Sequence, residues 1–303
     1  MENATELNHA FGLPGTLMFE SSPEGLTIAR LRGKGGLASL CLQGAHLFDW
    51  QPDAATEPVL WLSPQAQFKP GKSIRGGTPV CWPWFGPHSE NKDFPAHGFA
   101  RTADWRVLDG GLDDQGQAWL KLALAMNDAQ RTMWPHRAEL ELTVRVGAEL
   151  SMSLLTRNVG DREFVLGEAL HTYFRISDIE AVSVHGLDGC DYWDTVGDVE
   201  EKVQHGEICF SAETDRVYID TPATCVIEDP GLKRRIHIVK TGSLSTVVWN
   251  PWTAKAARMG DLGQPAGWRE FLCVESANAW DNKLIVQPGE ARALSVNYSV
   301  EQM

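Results

Sequence analysis

The stretch AELELTVRV, residues 138–146, alternates with a period of two. Leu140, Leu142, Val144 and Val146 fall on one face, and Glu139, Glu141, Thr143 and Arg145 on the other. After Gly147 and Ala148 the pattern resumes in phase, with Leu150, Met152 and Leu154. Two such runs around a short polar break predict a hairpin with one buried face. Near the C-terminus KLIV precedes a turn signal, QPGE, after which Leu294, Val296, Tyr298 and Val300 alternate again. LTIARL, LASLCLQG, DWRVL, AWLKLALAM, FVLGEAL, AVSVHGL and STVVWN carry similar strand signals. Helical signals are few: a turn or two in WTAKAARMGDL and another in DAQRTMW. Many short strands broken by Gly, Pro, Asn and Asp predict an all-β protein, an antiparallel sandwich or barrel.

The chain of 303 residues shows no linker, repeat or low-complexity tract. All-β units of ~200–250 residues are common, so the expectation is a polar N-terminal tail over 1–10 and a single domain over 11–303. Lys plus Arg number 27 against 40 Asp plus Glu, a net charge of −13. A body of that sign repels nucleic acid and anionic lipid at long range, so an anionic ligand must be held by local cations. The opening MENATELNHA lacks the basic start and apolar stretch of a secretory signal, and no apolar run approaches the ~20 residues that span a bilayer. The six cysteines are scattered and form no CxxC. That pattern predicts reduced thiols, no zinc site and a cytoplasmic protein. The twelve tryptophans are mostly core residues on general grounds.

The longest irregular stretch runs from Ser63 to Thr102, and a loop of that length in a compact domain is usually functional. It contains KSIRGGTPVCWPWFGPH, residues 72–88. The GKS at its start invites a nucleotide-binding reading. That loop requires a Gly where Ala66 stands and a helix afterwards, and Gly76, Gly77 and Pro79 break any helix. The segment instead offers Arg75, followed downstream by His97 and Arg101 in AHGFAR. Elsewhere, His171 sits inside the apolar run GEALHTYF, and Glu275 directly follows Phe271, Leu272, Cys273 and Val274. Glu275 either ends a strand facing solvent or is a buried carboxylate that needs a partner. His171 is either a hydrogen-bonded core residue or that partner, and side by side each would favour the other's charged form. Such a pair supplies one general acid and one general base. Cys81 lacks a neighbour that would lower its pKa, no GxSxG elbow is present, and DGCDYWDTVGDVEE reads as a solvated loop.

Taken in order, SIRGGTPVCWPWFG, HGFAR, ALHTYFRISDI, GLDGCDYWD, ETDRVY, VVWNPW followed by MGDL, and CVESAN resemble the glucose-6-phosphate 1-epimerases, or hexose-6-phosphate mutarotases. These belong to the aldose 1-epimerase superfamily. The resemblance covers nearly the whole chain and implies a galactose mutarotase-like β-supersandwich of large antiparallel sheets. Position by position, it implies His171 and Glu275 as the catalytic pair, and Arg75, His97, Arg101 and Asp215 as substrate-binding residues. The implied reaction interconverts the α and β anomers of a hexose 6-phosphate, with Glu275 as carboxylate base and His171 as imidazolium acid. It needs no cofactor and no metal, and its partner is a small sugar phosphate. Arg75 and Arg101 would hold the phosphate, Gly76 and Gly77 would let the backbone approach it, and Trp82, Trp84 and Phe85 would wall the cleft. The alternatives are a non-catalytic carbohydrate-binding protein and an epimerase of unphosphorylated aldoses.

Overall fold

The computed structural model describes residues 3–263 and 266–303. Its largest elements are a nine-stranded and an eight-stranded antiparallel sheet, joined by a four-stranded and a two-stranded one. The alternating hairpin pairs Ala138–Val146 with Leu150–Asn158 in an unbroken register that sets Leu142 opposite Leu154. Leu140, Leu142, Val144 and Val146 are all buried, as are Leu150, Met152 and Leu154. This hairpin lies within the nine-stranded sheet beside the C-terminal strand Ala291–Gln302. There Leu294, Val296 and Tyr298 are buried and Val300 half-buried. Each fully buried Leu or Phe contributes about 1.5–3 kcal/mol, so one face of this sheet forms much of the core.

The eight-stranded sheet covers that face. Tyr298 joins the two, its hydroxyl 2.7 Å from the Thr172 hydroxyl and its ring edge-on to Phe174. Trp82 adds a second link, its Nε1–H donating to Thr156 Oγ1 at 3.0 Å. Its central strands, Ser245–Asn250 and Phe271–Asn278, are buried at every position. One face of each packs on the core. The other is covered by loops, which is why FLCVESAN does not alternate.

Three short α-helices occur among the described residues, Ala4–Phe11, Asp128–Met133 and Trp252–Ala256. The latter two match the expected helical turns. The first corrects the expectation of a polar tail over residues 1–10. Asn3 caps it, its side chain accepting from Thr5 N, and Leu7 is buried in the core. Two other expectations change. DGCDYWDTVGDVEE is not a loop but an edge hairpin, Asp191–Asp194 with Glu200–Val203. The strand Leu284–Val286 does not fold back on the C-terminal strand across QPGE; it pairs with Phe164–Leu166. No helix among the described residues is long and apolar enough to cross a membrane.

Glu168 is a fully buried carboxyl in the strand Glu168–Leu170, accepting from Asn278 Nδ2 at 2.9 Å. Burial outweighs that hydrogen bond and pushes its pKa up to about 7. A raised carboxyl pKa stabilises the fold below the unfolded value and loses that contribution as pH rises toward the folded one. The stability of the wild-type chain relative to Glu168→Gln is therefore expected to fall by roughly 2–4 kcal/mol between about pH 4.5 and 7. Paired denaturation curves across that range check it, and a pH-independent difference would show that Glu168 is not a buried acid.

Candidate active site

Cross-strand partners in a sheet share a face, as do residues two apart on one strand. In the eight-stranded sheet the register places Asp215 opposite Trp249 and Trp249 opposite Cys273, which faces Tyr173. The next row sets Val217 opposite Val247 and Val247 opposite Glu275. Pairing of Leu170 with Ser276 and of Tyr173 with Cys273 brackets His171. The same register carried through that gap puts His171 opposite Glu275. Asp215, Trp249, Glu275, His171 and Tyr173 thus share the face turned away from the core, and all line a cavity of about 500 Å³.

His171 Nε2 lies 3.2 Å from Glu275 Oε1, with Glu275 only 1% exposed. The expectation of a buried pair is met, but not that of mutually stabilised charges. Burial drives the Glu275 pKa well above the carboxylate range, with Asp215 adding to the rise and Arg101 opposing it. Burial drives His171 well below its ordinary value, helped by His97, Arg101 and Arg75. The empty site therefore favours a carboxylic acid and a neutral imidazole with one proton between them. Glu275 Oε2 and His171 Nδ1 have no partner among the described residues. The imidazole is held by the Tyr173 ring, stacked at 5.0 Å and 8°.

The long loop supplies the opposite wall. Gln43 donates to the Lys72 carbonyl and His46 Nε2 to the Gly76 carbonyl, fastening the loop to the four-stranded sheet. Gly76 and Gly77 have positive φ, and a Cβ there would meet the Trp61 and Leu47 carbonyl oxygens at 2.4 and 2.3 Å. Their role is thus close packing on protein backbone, and not the expected approach to a ligand. Arg75 reaches the cavity with Nη1 donating to Tyr173 Oη at 2.8 Å and Nε to Asp261 Oδ2 at 3.1 Å. Burial opposes its charge, but Tyr173 and Asp261 more than compensate and its pKa is raised. Arg101 donates to the Ala96 carbonyl. No carboxylate among the described residues lies within ion-pair distance of it.

His97 also lines the cavity, its ring edge-on to His171 at 5.8 Å. Burial, then Arg101 and Arg75, lower its pKa to about 3, so it is neutral. Gly86 N–H donates to His97 Nδ1, which leaves the proton on Nε2. Asp215 Oδ2 accepts from Lys255 Nζ at 3.3 Å, and the same ammonium pairs with Glu213. Burial raises the Asp215 pKa and Lys255 counters it.

All six residues named from the sequence therefore meet at one cavity. Of the three expected aromatic walls only Phe85 lines it. Trp82 is fully buried behind it, and Trp84 faces a neighbouring cleft with His88 and Phe94. Tyr173, Trp249, Trp280, Lys255 and Asp261 were not anticipated and all line the cavity. Tyr173 was within reach of the alternation rule, being two residues beyond His171. Cys81 is fully buried, its thiol pushed up to about 12, which removes it as a nucleophile.

Comparison with known proteins agrees with this geometry. Residues 28–299 match the family described as aldose 1-epimerase. This chain belongs to the aldose 1-epimerase family. As a 1-epimerase it is an isomerase acting at the anomeric carbon of a sugar. A candidate glucose-6-phosphate 1-epimerase of Escherichia coli (strain K12) is 41% identical over 251 residues, 82% of this chain and 82% of that protein. One from Cenchrus ciliaris is 37% identical over 279 residues, 89% of this chain and 83% of that protein. The crystal structure of a candidate mutarotase from Salmonella typhimurium superposes with a TM-score of 0.88 at 35% identity, covering 97% of this chain and 96% of that one. The mutarotase-like sandwich expected from the sequence is the fold observed.

The position of His97 in this epimerase rests on its neighbour. Gly98 has φ +71°, and a Cβ there would sit 1.9 Å from the Trp82 carbonyl oxygen. Gly86 has φ +75° but open space around it. Gly86→Ala is expected to cost about 1–2 kcal/mol, the left-handed penalty alone, and Gly98→Ala several times more. Melting temperatures of the two variants check this, and equal losses would show that the Gly98 contact is not constraining.

Proposed function

We propose that this enzyme interconverts the α and β anomers of a hexose 6-phosphate, with glucose 6-phosphate the first candidate. The observation that carries the reading is the presence, in one cavity, of an acid–base pair and two guanidinium groups. Arg forks match a phosphate dianion in shape and charge, and a body of charge −13 supplies no long-range attraction. The names of the relatives point to the same substrate. The six cysteines are free, which fits a reducing compartment, and we place the enzyme in the cytoplasm.

Ring opening requires one group to take the proton of the anomeric hydroxyl and another to give a proton to the ring oxygen. His171 and Glu275, sharing one proton, meet that requirement in either direction. With Glu275 as base, the proton must first lie on His171. Sugar hydroxyls donating to Glu275 Oε2, which has no partner among the described residues, would favour that carboxylate form. The bond opens to the free aldehyde, the carbonyl end rotates, and reclosure on the other face returns the proton. Asp215 and the His97 Nε2–H hold sugar hydroxyls. The chemistry is proton transfer and a bond rotation, so it calls for no electron carrier.

Glu275→Gln and His171→Asn are expected to fold and to lose about 10²–10⁴-fold in activity, the usual contribution of a positioned acid or base. Because the active form holds one proton on the pair, the rate should follow a bell in pH. Its acid limb should lie below the ordinary histidine value of 6.5, and its alkaline limb above the ordinary carboxylate value of 4.5. Anomer-exchange NMR measures these rates, and near-normal exchange in both variants would contradict the assignment.

The phosphate contacts give a separate test. A charge-assisted hydrogen bond is worth about 1.5–3 kcal/mol, so Arg101→Ala or Arg75→Ala should lower kcat/KM for glucose 6-phosphate about 10–100-fold, largely through KM. Activity on free glucose should barely move. A ratio of the two substrates that stays constant in both variants would place the phosphate elsewhere, and activity confined to the free sugar would identify an epimerase of unphosphorylated aldoses.

A further inference from the structure

Fully buried beside the acid–base pair lies a soft donor that the anomer reaction does not use. Cys273 lies two residues before Glu275 on the same face of the strand Phe271–Asn278. It sits opposite Tyr173, as His171 sits opposite Glu275. A ring nitrogen of His171, Cys273 Sγ and a carboxylate oxygen of Glu275 all fall within 4.8 Å of one another. Zinc bonds to N, O and S of about 2.0–2.3 Å imply ligand–ligand separations of roughly 3.3–3.7 Å in a tetrahedron. His171 and Glu275, at 3.2 Å, already have that spacing. Cys273 would need to close by about 1 Å. A second observation also points to a ligand: Glu275 lines the cavity, and its Oε2 is buried without a partner among the described residues.

We infer that His171, Cys273 and Glu275 form a capture site for a soft divalent cation of the Zn²⁺ type, which excludes the sugar and inhibits the enzyme. Three protein ligands and a cavity water give the open four-coordinate arrangement that zinc adopts in non-structural sites. Thiolate, imidazole and carboxylate together favour zinc over magnesium or calcium. Capture releases the thiol proton and the proton shared by the pair. Arg75 and Arg101 oppose a cation here, and the thiolate and carboxylate formed on binding offset its two charges. The inhibition rests on the acid–base reading above, whereas the binding does not.

The test titrates the metal-free full-length protein with Co²⁺ and with Zn²⁺. Co²⁺ should produce a thiolate-to-metal charge-transfer absorption. That band should disappear in Cys273→Ser, and Zn²⁺ or excess glucose 6-phosphate should displace it. Loss of an outer-shell partner weakens metal sites by about 10–100-fold, and loss of a direct ligand should cost no less. Zn²⁺ binding to Cys273→Ser should therefore weaken by at least ~10-fold. This variant should keep its anomer exchange and need correspondingly more Zn²⁺ for inhibition. Cys273→Ala serves the same purpose if serine is not tolerated at this buried position. No thiolate band, or a band that survives in the Cys273 variants and is lost in Cys209→Ser at the exposed thiol, would overturn the proposal. The band is read whether or not the chain epimerises sugars, so failure of the functional reading remains distinguishable.

Discussion

A carboxyl and an imidazole 3.2 Å apart, both largely withdrawn from solvent, cannot easily hold two charges or two protons. Burial raises one pKa and lowers the other, so the pair settles on a single proton. That restriction suits anomer exchange, in which one group must give a proton as another takes one. The same pair at the surface would titrate as an ordinary histidine and an ordinary glutamate. The desolvation is thus the enabling feature, and much of the remaining architecture serves to produce it.

Two structural decisions create the burial. The eight-stranded sheet is covered on both faces, by the nine-stranded sheet on one side and by loops on the other, so its central strands have no solvated side. The long loop is then bound down through His46 and Gln43, which bond its carbonyls. This brings Arg75, Phe85, His97 and Arg101 over the pair. The arginines have unequal surroundings. Asp261 and Tyr173 orient Arg75, while Arg101 faces the cavity without a carboxylate partner among the described residues, the more available cation for an incoming anion.

Strands with one wet face were legible in the sequence, and AELELTVRV and ELSMSLL are found paired as their alternation requires. The strand that matters most for chemistry was not legible in that way. With both faces covered, FLCVESAN carries no alternation, so pattern alone left Glu275 open between solvent and core. The loop tryptophans were misplaced for a related reason. Between Pro79 and Pro95 the chain has no periodicity, and nothing local distinguishes the buried Trp82 from the cavity-lining Phe85. Asp261 and Lys255 come from a segment distant in sequence, and their ion pairs with Arg75 and Asp215 are visible only once the fold has assembled them. The glycines beside Arg75 pack against the protein's own backbone, which the sequence could not show, because a Gly-Gly pair signals a close approach or an unusual backbone angle without showing what lies opposite.

The most direct measurement of the central claim is infrared difference spectroscopy of wild type against Glu275→Gln across a pH series, with and without glucose 6-phosphate. The account predicts the carbonyl stretch of a protonated carboxylic acid in the empty enzyme persisting above the ordinary carboxylate value of 4.5, lost in the variant and diminished when sugar phosphate binds. A Glu275 that ionises in the empty enzyme at or below that ordinary value would contradict it.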